Sequence, residues 1–120
     1  MNHFISVPEA AAMTSRYRNQ KETILKSEYQ GQNILCQSET FDRLAFDTVL
    51  GKTGCQALRI YYGMAEDLKI HAIIVGVDGQ NADILPGANA TSTLTEDDDA
   101  VFDRGIRCPD LCPDSSPLNT

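Results

Sequence analysis

The chain has 120 residues, a hydrophobic fraction of 42%, and a formal net charge of −7. This length allows one domain with a single core. The acidity lies in the second half, because residues 61–120 carry three basic and eleven acidic side chains. Without a cluster of Lys and Arg, such a chain is repelled by phosphate, which argues against nucleic-acid and anionic-membrane partners.

The sequence predicts a cytoplasmic protein. It has no run of about 18 or more apolar residues, as a transmembrane helix needs, and its first residues lack the basic and apolar regions of a signal peptide. In a reducing compartment we expect its four cysteines to be thiols or metal ligands rather than disulfides.

The first helix is predicted by residues 6–9, Ser-Val-Pro-Glu, which match a capping box with proline in the first turn. Weak apolar periodicity extends it to about Gln30, before Gly31. Such a helix would be roughly 35 Å long, more than this small core needs, so it would bend, break or lean on a second subunit. Four basic residues are interpreted as its solvated face, with a partner surface as the alternative: Arg16, Arg18, Lys21 and Lys26.

Residues 33–41 predict a short strand. We expect it to flank, at one edge, a central hairpin formed by residues 58–62 and 70–77. Residues 42–50 predict a second, amphipathic helix that ends at Gly51 and packs on the hairpin. Gly-Lys-Thr at 51–53 is not a phosphate-binding loop, because the upstream glycine and the strand-to-helix order of that motif are missing.

The central hairpin is predicted by two apolar runs, 58–62 and 70–77, separated by an acidic turn. If Met64 pairs with Lys69, the side chains along each strand alternate between the two faces of the hairpin, which assigns one set of residues to each face. Neither face is polar, so both need cover, from helices, from the tail or from another copy of the chain. One face would carry Leu58, Ile60, Tyr62, His71, Ile73 and Val75; the other would carry Arg59, Tyr61, Ile70, Ala72 and Ile74.

Beyond Asp78-Gly79 the composition becomes small, polar and acidic, which predicts an irregular tail. Residues 96–99 form a charge run, interpreted as a solvated loop, with a calcium site as the alternative. Residues 100–103 predict a brief strand or turn, and the prolines after residue 107 favour extended or turn backbone.

Cys108 and Cys112 form the one local grouping of potential metal ligands or redox thiols. Zinc needs three or four ligands, and the candidates for the others are His71 first, then Cys55 and Cys36. The Cys-x-x-x-Cys spacing differs from the Cys-x-x-Cys of thioredoxin-like sites. The alternatives are a zinc site, thiol redox chemistry, or simple packing of a proline-rich tail.

Arg59, Tyr61 and Tyr62 are candidates for a ligand or partner surface. Their cationic and aromatic groups suit an anion or an aromatic ligand, although strand packing with polar tips explains them equally well.

Arg-Ile-Tyr-Tyr-Gly at 59–63, the apolar strand that follows, and Cys-Pro-Asp-Leu-Cys-Pro at 108–113 resemble a family of small uncharacterised bacterial proteins. The resemblance covers most of the chain. It implies a helical N-terminal half and a characteristic surface or scaffold formed by Arg59, Tyr61, Gly63, Cys108 and Cys112, and it implies no catalytic residues.

Together these patterns predict a single α+β domain over residues 1–120, with residues 1–5 frayed and residues 80–120 an irregular acidic tail packed back on the core. Its parts are a long N-terminal helix, a short second helix and a small antiparallel sheet built on the hairpin. We expect a homo-oligomer and a non-enzymatic interaction or accessory module without a cofactor. The alternatives are a metal or thiol protein and a small-ligand binder.

Overall fold

The computed structural model describes residues 2–86 and 101–120, and it confirms the α+β class: two helices and small antiparallel sheets. The predicted loop or calcium site at residues 96–99 lies outside the described residues. Neither helix in the described part of the chain is long and apolar enough to cross a membrane. In chain order the elements are α1 (Val7–Gln20), a 3-10 helix (Ser27–Tyr29), β1 (Ser38–Thr40), α2 (Arg43–Leu50), β2 (Ala57–Met64), β3 (Ile70–Val77), β4 (Asp83–Ile84), β5 (Val101–Phe102) and β6 (Ile106–Cys108).

The chain forms two compact units. Unit 1 comprises Met1–Glu39, Glu66–Lys69 and Ile106–Thr120, and unit 2 comprises Thr40–Ala65 and Ile70–Gly105. The single-domain organisation stays a prediction.

Helix α1 begins as predicted. The Ser6 side chain caps it by accepting a hydrogen bond from the backbone N–H of Glu9 at 3.1 Å, with proline in the first turn.

The predicted end of α1, near Gln30, is wrong, because the helix ends at Gln20. Six consecutive polar residues, 18–23, leave no apolar stripe to bury. The chain turns back instead, and Glu22 Oε1 accepts a 2.6 Å hydrogen bond from the N–H of Gly31, which holds the pKa of Glu22 below its usual value. At 14 residues the helix is about 21 Å long, so its length gives no argument for a second subunit.

Unit 1 is organised around the irregular residues 33–36, whose backbone carbonyls are held by three side chains. Arg107 donates to the carbonyls of Asn33 at 2.8 Å and Ile34 at 2.9 Å. Lys21 Nζ donates to Leu35 O at 3.0 Å, and Tyr17 Oη donates to Cys36 O at 2.5 Å. These hydrogen bonds satisfy backbone carbonyls that are not paired within a helix or a sheet.

Two cationic side chains of this cluster are buried: Lys21 and Arg107. The interpretation of Lys21 as part of a solvated face is therefore wrong, because the side chain is buried and its ammonium group donates a hydrogen bond to a backbone carbonyl. Burial raises the pKa of Tyr17, with a further rise from nearby Cys36 and an opposing effect of Arg107.

The predicted strand at 33–41 is shorter than expected and has another partner. Only Ser38–Thr40 is extended, and this β1 forms a two-stranded sheet with β6 instead of flanking the hairpin. Next to this pairing, the N–H of Gln37 donates to Cys108 O at 2.7 Å. The end of the chain is tied to α1, because Arg18 donates to the carbonyls of Leu118 and Thr120, each at 2.8 Å.

Among its described residues, unit 2 contains a four-stranded antiparallel sheet with β3 at its centre. Strand β2 pairs with one edge of β3, and both β4 and β5 pair with the other. The predicted brief strand at 100–103 is thus confirmed as β5. Strand β3 is the most deeply buried element of the unit, because its last four residues are all buried.

Helix α2, confirmed with Asp42 before it and Gly51 at its end, packs on β3. Val49, 0% exposed, lies over Gly76. In the same unit three phenylalanine rings form mutual edge-to-face contacts, with centroids 5.1 to 5.9 Å apart: Phe41, Phe46 and Phe102. Such geometry suits the ring quadrupoles.

The hairpin is confirmed, but its predicted register is wrong by one residue. Met64 pairs with Ile70, not with Lys69, and the pairing continues without a break to Ala57 and Val77. The connecting residues 65–69 include Leu68 with φ of 71°, a left-handed conformation that leucine seldom adopts. A slip of one residue exchanges the faces of a whole strand, so His71 lies opposite Gly63 rather than opposite Tyr62.

The tight contact at Gly76 gives a test of this packing. A Cβ there would lie 3.0 Å from Cys55 Sγ and 3.2 Å from Cγ1 of the buried Val49. Gly76→Ala should therefore destabilise the protein by about 1–3 kcal/mol in chemical denaturation. Gly79→Ala is the matched control, because the new methyl meets only the end of the exposed Gln56 side chain; equal losses in the two variants would contradict the packing described.

Candidate functional site

Arg59 and Tyr61, two predicted site residues, lie on one face of β2 and reach across β3 to Asp83 of β4. The guanidinium of Arg59 forms a salt bridge with Asp83, and the Tyr61 hydroxyl donates to the other carboxylate oxygen. Arg59 also donates to Asn81 Oδ1 at 2.6 Å. These two side chains are therefore already engaged with groups of their own unit, which limits what they can offer a ligand.

The network shifts the pKa values of its members. The hydrogen bond from Tyr61, with Arg59 beside it, holds the pKa of Asp83 below its usual value. The same hydrogen bond raises the pKa of Tyr61, because it is lost when the phenol ionises, and Asp83 likewise raises the pKa of Arg59.

Tyr62 is not part of this network, since strand alternation places it on the opposite face of β2. There it is 83% exposed, between Ile60 at 54% and Met64 at 63%. We call these three side chains the apolar stripe. The structure thus brings Arg59 and Tyr61 together and separates Tyr62 from them.

The stripe lies on β2, which is an edge strand of the sheet that the described residues form. Within residues 2–86 and 101–120, the strand partner of β2 is β3 alone. Isolated folded proteins protect such edges with lysine, proline, bulges or very short strands. Strand β2 has eight residues in unbroken register and contains neither lysine nor proline. Its single charged side chain, Arg59, is directed over β3 to Asp83 rather than along the edge. Among the residues that the structure describes, this edge of β2 is therefore unpaired.

The other predicted group divides between the units, because Cys108 and Cys112 lie in unit 1 and His71 lies in unit 2. The expectation that the cysteines are thiols or metal ligands is wrong for Cys108 and Cys112, which are joined by a disulfide across a short turn, while Cys36 and Cys55 are free. In the part of the chain that the structure describes, no three His, Cys, Asp or Glu side chains cluster as metal ligands. Zinc would require both cysteines as thiolates, so the disulfide would have to be reduced before a metal could bind.

The two sulfurs of the disulfide differ in access. Cys108 is 2% exposed at the end of β6, while Cys112 lies in the exposed turn that follows. The backbone bond from Leu111 N–H to Arg107 O, at 3.0 Å, closes this turn. Any reagent from solvent therefore meets Cys112 first.

A groove of about 300 Å³ lies along α1 and the turn after it. All of its lining residues come from positions 13–24, so a single stretch of chain forms it. Two of them, Tyr17 and Lys21, already donate hydrogen bonds to backbone carbonyls of residues 33–36. Its lining residues are Met13, Arg16, Tyr17, Gln20, Lys21 and Ile24.

Sequence reasoning missed Asp83 and Asn81 as partners of Arg59, because both fall in the stretch assigned to an irregular tail. The signal was present in the hairpin itself: an arginine within an apolar strand needs a carboxylate nearby, and Asp83 is the first acidic residue after the Asp78 turn.

Comparison of the chain with protein-family models, with curated proteins and with solved structures gave no match. Membership of the bacterial family that its two motifs resemble stays a prediction.

The lowered pKa of Asp83 makes a prediction about pH. Its contribution to stability is complete above about pH 4, the ordinary aspartate range, and is lost as the pH falls through the lowered folded-state value. The raised pKa of Tyr61 has the opposite consequence, a contribution lost only as the pH rises through its folded-state value. Asp83→Asn should lower the stability at pH 7 and flatten its acid decline in urea titrations across pH 2 to 7. Asp110→Asn, an exposed tail carboxyl, is the control; identical acid profiles for all three proteins would contradict the assignment.

Proposed function

We propose that this chain is a non-enzymatic interaction module that binds an extended protein segment along the free edge of β2. The observation that carries the proposal is the apolar stripe on an unprotected eight-residue edge strand. In strand addition, the main chain of the added segment supplies hydrogen bonds and alternate side chains supply specificity. A stripe of Ile60, Tyr62 and Met64 selects a segment with apolar residues at every second position.

The network on the other face supports this role. Asp83 holds Arg59 and Tyr61 over β3, which keeps the only charge of β2 away from the edge. It also braces β2 against the sheet, so a docking segment meets a strand that is already in position. Such preorganisation lowers the cost of ordering on binding.

Selection of random twelve-residue peptides displayed on phage tests the proposal. We expect wild-type protein to enrich peptides with apolar residues at alternate positions. Tyr62→Lys should weaken their binding at least about tenfold, because it places a charge in the stripe. Ile24→Lys, which alters a residue 73% exposed in unit 1, is the matched control.

The proposal would be overturned by either of two results. One is the enrichment of no peptide with alternating apolar residues. The other is equal binding of the enriched peptides to the two lysine variants. Far-UV circular dichroism of each variant verifies that the fold is retained.

A second candidate function, thiol–disulfide exchange, is favoured by the Cys108–Cys112 disulfide and its exposed Cys112. A thiolate of a dithiol reductant would attack Cys112 Sγ, and the bond to Cys108 would break with protonation of the released Cys108 thiolate. The second thiol of the reductant would then displace Cys112, leaving an oxidised reductant and two protein thiols.

Under this second function, the protein should accelerate the reduction of insulin by dithiothreitol, followed by turbidity. Cys112→Ser should abolish the acceleration, and Cys55→Ser, which changes a cysteine outside the disulfide, should preserve it. No acceleration by wild-type protein excludes this candidate and leaves the first untouched.

A further inference from the structure

We propose that the segment docked on β2 is β2 of a second copy of this chain, paired antiparallel about a two-fold axis at Tyr61. This inference rests on the proposed interaction function and names its partner. A two-fold axis makes one surface patch serve both copies, so the patch must complement itself. The following three properties of β2 meet that condition.

The first property is the alternation of side chains. Residues directly opposite each other in a sheet point to the same face. For two apolar stripes to share a face, each even-numbered residue must lie opposite an even-numbered residue of the other copy. With the axis at Tyr61, Ile60 faces Tyr62 of the second copy and Leu58 faces Met64. All three stripe residues then meet apolar partners.

The second property is charge. Arg59 is the only charged residue of β2 and is neutralised by Asp83 within its own copy. In the proposed register it lies opposite Gly63 of the second copy, which has no side chain to clash with it. The two copies therefore bring no unpaired like charges to the axis, although each chain has a net charge of −7.

The third property is area. The exposed parts of Ile60, Tyr62 and Met64 amount to roughly 400 Å² per copy. A standard stable interface buries about 800 Å² per partner. Edge pairing leaves the faces of the sheet in water, so each stripe side chain buries only the flank that meets its cross-strand partner, and the buried area per copy stays below that standard. We therefore expect a weak, reversible dimer.

Sedimentation equilibrium of the full chain over about 5 μM to 1 mM tests the association. Wild-type protein should approach twice its monomer mass at the upper end. Tyr62→Lys should raise the dissociation constant at least about tenfold, and Ile24→Lys should behave as wild type.

Cysteine cross-linking tests the register. With the axis at Tyr61, two cysteines at position 61 lie opposite each other at about 5 Å between Cβ atoms, while two at position 62 are diagonal neighbours at about 7–8 Å. Mild oxidation should therefore link Tyr61→Cys into a dimer and leave Tyr62→Cys largely unlinked. Mass spectrometry of the joined peptide distinguishes this link from one through Cys36 or Cys55.

Three results would overturn the inference: a monomer throughout the concentration range, a dimer unaffected by Tyr62→Lys, or preferential linking of Tyr62→Cys. If the chain is monomeric but still binds displayed peptides in a manner sensitive to Tyr62→Lys, self-pairing fails and the interaction function stands. If it neither dimerises nor binds peptides, both fail.

Discussion

The pairing of β2 with β3, from Ala57 opposite Val77 to Met64 opposite Ile70, is the constraint on which unit 2 depends. This register decides which side chains share a face. It sends Arg59 and Tyr61 to the face where Asp83 holds them, and it leaves the apolar stripe on the other face at the free edge. Moved by one residue, the same sequence would place Tyr62 with His71 and separate Arg59 from Val75. The position of Arg59 and Tyr61 beside Asp83 is thus a consequence of this alignment.

Unit 1 solves a different problem, because it has little regular structure and a small apolar core. Its irregular residues 33–36 need partners for their carbonyls, and side chains supply them in place of strands. Burying the cations of Lys21 and Arg107 carries a desolvation cost. Hydrogen bonds to carbonyl oxygens offset it in part, since Arg107 Nε is buried without a hydrogen-bond partner. Loss of either side chain would leave a backbone carbonyl without its hydrogen-bond donor. Methionine at either position would fill space but would not supply that donor.

The features that were predictable from the sequence are those set by neighbouring residues. The start of α1 follows from a serine cap and a proline, and α2 follows from its apolar spacing and Gly51. The end of α1, the partner of β1 and the hairpin register depend on distant or unusual contacts. Gly31 bonds back to Glu22, β1 pairs with β6 from the far end of the chain, and Leu68 adopts a left-handed conformation that its side chain does not signal. Tyr61 was a candidate because of its residue type and its place in the strand, but that its hydroxyl bonds to Asp83 is shown only by the fold.

The bond between Arg107 and the carbonyls of residues 33 and 34 also bears on the order in which the protein matures during synthesis. The sequence of unit 2 is inserted between parts of unit 1. On a ribosome, the strands and helix of unit 2 can emerge and assemble while residues 33–36 still wait for the arginine that completes their hydrogen bonding. Residues 33–36 therefore cannot complete their hydrogen bonding until nearly the whole chain has been synthesised.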